Sequence, residues 1–306
     1  MKTIRIATRK SPLALWQAEN VRSLLQGVAP EWSIEFVGVV TEGDRDQTSP
    51  LTKIGGKGVF VKALEIALLE QKADIAVHSM KDVPSVLAPG LQLSAVLARE
   101  DPRDALLSEL YTFDTLPMGA RVGTSSLRRR YQLAHKRPDL VFEELRGNVD
   151  TRLRRLRSGD FDAIVLAVAG LKRLGLADAI TDYLPIETSV PAAGQGAIAI
   201  ECRDEGIEDL IVPLTELDHD MTALCTSAER QVSSSLFATC DLPVGVHAES
   251  IRGDTVRMTA FVSDVEGLRQ VRATSEGPSA MVADDLLHRL NHQNVRELIV
   301  SGSTPT

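Results

Sequence analysis

The segment from Ala73 to Pro84 places a serine, a lysine and an aspartate directly after an apolar run. Residues 75–77 are Ile-Ala-Val, which predicts a short buried strand, and Ser79, Lys81 and Asp82 follow it. Ligands of open α/β sheets bind beyond the carboxyl ends of the strands. Asp82 is therefore a candidate catalytic carboxylate beside a cation. The alternative, that it only caps the turn before a Val-Pro pair, stays open.

Other basic and hydroxyl side chains occur at the ends of predicted strands or the starts of predicted helices. They are Arg9, Ser11, Lys53, Lys57, Thr124, Ser125, Ser126, Arg128, Arg129, Arg146 and Arg152. Together they predict a cleft that binds several anionic groups through helix N-termini and charge-assisted hydrogen bonds. Taken singly, the arginines at 128–130 could be a solvated helix face. The Gly-Gly-Lys-Gly run at 55–58 lacks the spacing of a phosphate-binding loop.

Composition limits the classes of function. The chain has 306 residues, 43% hydrophobic and 25% charged, with a net charge of −8, so general nucleic-acid binding is not expected. The start of the chain lacks the apolar core of a signal peptide, and no apolar run could span a bilayer. Cys202, Cys225 and Cys240 fit no disulfide or zinc spacing. These features predict a cytoplasmic protein without membrane contact.

The elements that would position these side chains alternate between strand and helix. Strands are predicted at 4–8, 34–40 and 91–97, and Ser11-Pro12 predicts the cap of a helix that turns Leu13, Trp16 and Val21 inward. A second α/β series follows a charged break at 99–104, where Asp101, Arg103 and Asp104 are expected to form a structural ion network. A strand at 197–201 could return to the first sheet. The fold class is thus α/β with parallel, doubly wound sheets.

The remainder predicts a small α+β domain. A helix to about Leu236 precedes strands near 256–262 and 268–274, and an amphipathic helix begins near Ala280. The domain boundaries are 1–98 plus about 197–216 for the first domain, 103–192 for the second and 219–306 for the third.

These motifs, taken in order, closely resemble the porphobilinogen deaminase family, also called hydroxymethylbilane synthase. The resemblance covers the whole chain, through Arg5-Ile6-Ala7-Thr8-Arg9, Gly55-Gly56-Lys57-Gly58, His78-Ser79-Met80-Lys81-Asp82-Val83-Pro84, Gly123-Thr124-Ser125-Ser126-Leu127-Arg128-Arg129, Leu145-Arg146-Gly147-Asn148, Leu166-Ala167-Val168-Ala169-Gly170-Leu171 and Gly194-Gln195-Gly196. It implies two periplasmic-binding-protein-like domains plus a cofactor-bearing third domain, in a cytoplasmic monomer of tetrapyrrole synthesis.

The resemblance also implies a reaction and a cofactor. Four porphobilinogen molecules would be condensed stepwise into linear hydroxymethylbilane with release of ammonia, and uroporphyrinogen-III synthase would use the product. The reaction would be primed by a dipyrromethane bound through a thioether to Cys240. The family usually has Gly-Gly before that cysteine, whereas this chain has Ala238-Thr239, a less permissive backbone.

Residue roles follow from the same resemblance. Asp82 would be catalytic. The cofactor would be bound by Ser79, Lys81, Asp82, Thr124, Ser126, Arg128, Arg129, Leu166 and Ala167. The substrate would be bound by Arg9, Ser11, Ser125, Arg146, Gly147, Asn148, Arg152, Arg173 and Gln195, with Lys53 and Lys57 in a supporting loop and no metal. Two other classes stay open on the residues alone, a non-catalytic two-lobed anion-binding protein and a nucleotide-using enzyme.

Overall fold

A computed structural model describes residues 2–41, 43, 60–236 and 243–300. Its first half alternates strands and helices, with a 3-10 turn at Met80–Asp82. The elements are β1 Thr3–Arg9, α1 Pro12–Val28, β2 Ser33–Val39, α2 Lys62–Leu69, β3 Ile75–Ser79, β4 Leu91–Val96, β5 Asp104–Leu107, β6 Arg121–Gly123, α3 Leu127–Lys136, β7 Val141–Glu143 and α4 Val149–Arg157.

The second half completes both α/β series and adds an antiparallel sheet. A second 3-10 turn lies at Ala177–Ala179. The elements are β8 Ala163–Ala167, α5 Val168–Arg173, β9 Asp182–Leu184, β10 Ile198–Arg203, α6 Glu208–Leu217, α7 Asp220–Ser235, β11 Val244–Arg252, β12 Thr255–Ser263, β13 Gln270–Pro278, α8 Ser279–His292 and α9 Val295–Val300.

The two α/β sheets have the same topology. The first sheet has the order β2-β1-β3-β10-β4 and the second has the order β7-β6-β8-β5-β9. In each sheet the first three strands are parallel, and the fourth runs antiparallel to both neighbours. The predicted α/β class is confirmed, and so is the return of the strand near 197–201 to the first sheet. The antiparallel fourth strands were not predicted.

Helix α1 shows how the sequence fixes the start of an element and which side it buries. Ser11 caps the helix by accepting a hydrogen bond from Ala14 N, and proline occupies the first turn, as predicted. The buried stripe consists of Ala14, Gln17, Ala18, Val21 and Leu25. The prediction that Trp16 points inward is wrong, because 38% of its surface is exposed. The small side chains Ala14 and Ala18 are buried in its place.

The three-stranded sheet β11-β12-β13 is antiparallel and carries α8 on one face. Strand β11 was not predicted. Several side chains attach this sheet to the neighbouring α/β part of its unit, among them Tyr131, Arg272 and Glu229. Tyr131 Oη donates to Val265 O at 2.6 Å, and Arg272 Nη2 donates to Gln132 Oε1 at 2.6 Å. The buried Glu229 on α7 accepts bonds from Gly194 N at 2.6 Å and Ala248 N at 2.7 Å.

By internal contacts the chain forms two units. The first consists of Met1–Glu100 and Gly196–Leu224, and the second of Asp101–Gln195 and Cys225–Thr306. The second unit therefore contains both the second α/β sheet and the three-stranded sheet. The finer division into three domains stays a prediction.

Candidate functional site

In the first unit, the candidate carboxylate lies in the 3-10 turn that follows β3. Ser79 ends the strand, and Lys81 and Asp82 follow it, each half-buried. The turn closes through a hydrogen bond from Val83 N to Met80 O at 3.1 Å. The predicted strand end is thus correct, and Asp82 lies at the carboxyl end of a central strand of its sheet.

The neighbouring strand β1 ends with Arg9, whose guanidinium carbon lies 4.2 Å from the centre of the Phe60 ring. Ser11 follows as the cap of α1. A serine that accepts a capping bond still has its hydroxyl hydrogen to donate, so Ser11 remains suited to an anionic ligand. Ser79 is held from the same helix, because Gln17 Nε2 donates to Ser79 Oγ at 2.9 Å.

In the second unit, the segment before α3 presents three hydroxyls. Ser126 caps the helix by accepting from Arg129 N at 3.4 Å, and Thr124 Oγ1 accepts from Ser126 N at 3.2 Å. Thr124 is buried, whereas Ser125 and Ser126 are half-buried. This local network fixes the direction in which α3 begins, and with it the positions of Arg128 and Arg129.

Arg128 and Arg129 converge on Asp104, the first residue of β5, which is fully buried. Arg128 Nη1 donates to Asp104 Oδ2 at 2.8 Å, and Arg129 Nε donates to Oδ1 at 2.9 Å. Ser189 Oγ adds a bond of 2.7 Å and Gln195 Nε2 one of 2.9 Å. The predicted ion network at the break exists for Asp101 and Arg103, which pair at 2.7 Å, whereas Asp104 pairs instead with the arginines of α3.

The protonation equilibria of this group follow from burial and from charge. Burial alone would raise the pKa of Asp104, but the charges and hydrogen bonds of Arg128 and Arg129 hold it well below its ordinary range. Burial lowers the pKa of Arg129, and the charge of Asp104 partly restores it. One carboxylate thus faces two guanidinium groups. Arg130, the next residue, is exposed, so the solvated-face interpretation holds for that arginine.

Four further residues predicted to bind ligands lie on β8, on the helix that follows it and beside β5. Leu166 is buried near the end of β8, and Ala167 is half-buried opposite Asp104. Gln195 is buried and also donates to Pro102 O at 2.7 Å. Arg173 is half-buried at the end of α5. Gln195 is thus placed in the Asp104 network, where it orients the carboxylate.

The second cationic group surrounds the start of α4. Gly147 has φ +106°, and a Cβ there would lie 2.9 Å from Thr151 Cγ2, so only glycine fits without strain. Its carbonyl accepts a hydrogen bond from Arg152 Nε at 2.7 Å. The backbone of Asn148 precedes the helix, and its carbonyl accepts from Arg152 N at 3.1 Å. The turn therefore holds Arg152 through one hydrogen bond from its side chain and one from its backbone nitrogen.

Arg146 and Arg152 form no ion pair with any carboxylate in the described part of the chain. The Nη1 atom of Arg146 is buried without a hydrogen-bond partner. The pKa of Arg152 is lowered to about 10, by burial first and then by the charges of Arg129 and Arg146. Positive charge thus accumulates here without a compensating acid among the residues that the structure describes. An anionic ligand would satisfy the unpartnered donor and relieve the repulsion.

Several predicted residues lie outside the described residues, namely Cys240, Lys53 and Lys57. The other two cysteines, Cys202 and Cys225, are buried. Burial raises the pKa of the Cys202 thiol, which favours the inert thiol form.

Sequence reasoning missed two residues that position the candidate site. Gln17 is a buried amide within the otherwise apolar stripe of α1 and bonds Ser79. Asp104 was assigned to a network, but its role as the shared partner of two site arginines was not foreseen. Two signals in the sequence could have identified these residues. Gln17 is a polar residue at a position of the buried stripe of α1, and Asp104 is an acid at the start of the apolar run Asp104–Leu107.

A membrane-spanning helix is not found in the described ranges, since no helix there combines the required length and hydropathy.

Comparison with solved structures gives distant similarities. The Bordetella pertussis BvgS VFT2 domain is 17% identical, with 72% of this chain and 90% of that chain covered and a TM-score of 0.43. The BenM effector-binding domain with benzoate is 15% identical, at 78% and 95% coverage and a TM-score of 0.45. The methionine-binding protein MetQ is 13% identical, at 75% and 90% coverage and a TM-score of 0.45. These similarities are too distant to support any inference.

Comparison with family models is decisive. Residues 4–209 match the model of the porphobilinogen deaminase dipyromethane cofactor binding domain. Residues 223–287 match the model of the porphobilinogen deaminase C-terminal domain. Together the two matches span nearly the entire chain, in the order that the sequence motifs predicted. The chain belongs to the porphobilinogen deaminase family, whose members are transferases of tetrapyrrole synthesis with a dipyrromethane cofactor.

Proposed function

We propose that this chain is a hydroxymethylbilane synthase, which condenses four porphobilinogen molecules into linear hydroxymethylbilane and releases one ammonia at each step. Each porphobilinogen carries an acetate and a propionate, so a growing product accumulates carboxylates. The observation that supports this function best is the uncompensated cationic group at Arg146 and Arg152. A single charge-assisted hydrogen bond contributes roughly 1.5–3 kcal/mol, so a few such bonds offset the chain's overall negative charge.

The residues of the second unit fit a group that bears carboxylates. Arg146 has a buried nitrogen without a partner, and Ser126 retains a hydroxyl hydrogen to donate. When bound, the dipyrromethane supplies a free pyrrole carbon as the nucleophile. We infer that Arg129, Ser126 and Thr124 bind and orient its side chains, and that Asp104 holds the two arginines of α3 in place. Cys240 is the proposed point of thioether attachment.

Asp82 is the proposed catalytic residue. When porphobilinogen loses ammonia, the remaining substrate fragment becomes cationic, and pyrrole N–H groups become stronger donors as positive charge develops. A carboxylate accepts such bonds and stabilises the cation electrostatically. At an effective dielectric of about 20, a charge contact near 4 Å is worth about 4 kcal/mol. That energy corresponds to roughly a thousandfold in rate.

The Asp82→Asn variant tests this role. We expect it to fold and keep its cofactor but to lose turnover by about a thousandfold, because the neutral amide no longer stabilises developing positive charge. Porphobilinogen consumption under saturating substrate measures the effect. Asp204→Asn, an exposed aspartate of the same unit, is the matched control and should retain wild-type turnover. Near-normal turnover of Asp82→Asn would remove Asp82 from the mechanism.

The cysteine variants test the attachment site. Intact-protein mass spectrometry should show the added mass of two pyrrole units in the wild type. The added mass should be absent from Cys240→Ser and present in Cys202→Ser and Cys225→Ser, whose thiols are buried. An adduct retained in Cys240→Ser would place the attachment elsewhere.

The location in the cell, the oligomeric state and the enzyme that uses the product belong to the same proposal. We propose that the protein acts as a cytoplasmic monomer and that uroporphyrinogen-III synthase uses its product. The family assignment does not favour the non-catalytic anion-binding alternative.

A further inference from the structure

Two exposed histidines lie one turn apart near the end of α8, on the three-stranded sheet domain. The Nε2 atoms of His288 and His292 are 3.2 Å apart. The ring centres are 4.3 Å apart and the ring planes are inclined by 79°. Residues four apart share one face of a helix, and the two Nε2 atoms lie within hydrogen-bonding distance of each other.

This separation matches that of two imidazoles bound to one transition-metal ion. Zinc–nitrogen bonds are about 2.0–2.1 Å long. Two nitrogens on one ion are then about 2.9–3.4 Å apart, for bond angles between square and tetrahedral values. The observed distance between the two Nε2 atoms lies inside that range, so the spacing of the two histidines suits one ion.

The neighbouring charges do not oppose a cation at this point. Arg289 donates from Nε to Asp285 Oδ2 at 2.9 Å, so the nearest guanidinium is paired with a carboxylate. Asp285 also accepts a bond from Ser275 Oγ, and its pKa is lowered by these two hydrogen bonds. Its negative charge therefore lies one turn before His288. The end of a helix also favours positive charge through the unpaired carbonyls of its last turn.

We propose that His288 and His292 form a surface site for a borderline divalent metal ion such as Zn²⁺, Ni²⁺ or Cu²⁺. In the described residues no group of three or more metal-ligating side chains occurs, so the site has two protein ligands and water completes the coordination. Imidazole ligands select these metals over Mg²⁺ or Ca²⁺, which prefer oxygen. A bound ion would link consecutive turns of α8 and stabilise the folded state through linkage.

Calorimetric titration of the purified full-length chain with Ni²⁺ tests the site. The wild type should bind about one equivalent, and both His288→Ala and His292→Ala should weaken this binding by about tenfold or more, since loss of even an outer-shell partner costs about 10–100-fold. His135→Ala removes a single exposed histidine of α3 and is the matched control, with wild-type binding expected.

Two outcomes would overturn the proposal. One is the absence of Ni²⁺ binding to the wild type, and the other is unchanged affinity in both single variants. Circular dichroism of the variants checks that α8 remains folded, as expected for exposed positions. Turnover of porphobilinogen should be the same in all four proteins. Failure of the metal site is therefore distinguishable from failure of the proposed function.

Discussion

The two α/β sheets share a topology and each buries an acid in its antiparallel fourth strand, but the partners of the two acids differ. Asp104 lies on β5 and Glu201 on β10, and neither is exposed. In both cases the strand that carries the acid comes from a distant part of the chain. The fourth strands of the two sheets thus each carry a buried acid, at different positions along the strand and with different electrostatic surroundings.

Asp104 is saturated with donors. Two arginines, a serine and a glutamine bind its two oxygens, at distances between 2.7 and 3.3 Å. The local balance is one negative charge against two positive charges. The positive excess lies within the same unit as Arg146 and Arg152, which pair with no acid in the described ranges.

Glu201 has fewer partners. His78 Nε2 lies 2.9 Å from Glu201 Oε2, and Glu201 Oε1 has no hydrogen-bond partner. Glu65 lies nearby, and its pKa is raised by burial and by the charge of Glu201. This cluster contains two carboxyl groups and one histidine, so it does not accumulate positive charge. Among the described residues, the contrast supports the proposal that the second unit binds anionic groups, because its arginines outnumber the acids that pair with them.

The largest expected effect is that of Asp104→Asn. The substitution leaves Arg128 and Arg129 buried beside a neutral side chain. Breaking a buried ion pair from one side costs about 3–5 kcal/mol of unfolding free energy. Urea denaturation followed by circular dichroism measures the loss.

Asp160→Asn provides the matched control for that measurement. Asp160 forms an ion pair with Arg155 at 2.9 Å, but both side chains are more than 40% exposed. Removing such a surface pair should leave the unfolding midpoint unchanged within error. If the two variants lost equal stability, the buried network around Asp104 would have no special importance.

Substitution of Glu65 should have a smaller effect on the free energy of unfolding, with the opposite sign to that of Asp104→Asn. Its folded-state pKa lies above the ordinary value of 4.5, so its contribution to stability is complete below that pH and is lost as the pH rises through the folded pKa. Asp104 behaves in reverse, because its pKa is depressed and its contribution is lost as the pH falls below 3.8. Glu65→Gln should therefore gain stability relative to the wild type as the pH rises above 4.5.

Urea midpoints measured between about pH 4 and pH 8 test this trend. Glu70→Gln changes an exposed carboxyl just after α2 and should follow the wild type across the range. A difference between Glu65→Gln and wild type that does not vary with pH would contradict the assigned environment of Glu65.

Local sequence signals predicted where strands and helices lie better than they predicted how the strands pair in a sheet. The Ser11-Pro12 cap and the strand before Ser79 follow from hydrogen bonding and apolar runs within a few residues. The antiparallel direction of β5 and β10 could not be predicted in this way, since it depends on partners distant in sequence. Trp16 was misplaced because hydrophobicity alone does not show which side of the helix is buried, and the buried stripe runs through Ala14 and Ala18 instead.

The residues of the candidate site were predicted one by one from the resemblance to a family. Which of these residues pair with an acid was not predicted. Arg128 and Arg146 are both arginines near helix starts, and nothing local distinguishes them. The fold pairs the first with a buried acid and leaves a nitrogen of the second without a partner. Only contacts between distant segments make that distinction.

The most direct test of the central claim is the turnover of porphobilinogen by Arg152→Gln compared with Arg154→Gln. Both arginines lie on α4, but Arg152 belongs to the uncompensated group and Arg154 is exposed. Loss of one charge-assisted hydrogen bond should lower kcat/KM of Arg152→Gln by about tenfold to a hundredfold, with the cofactor mass retained. Arg154→Gln should match the wild type. Equal kcat/KM for the two variants would contradict the claim that the uncompensated arginines bind the carboxylates of the substrate.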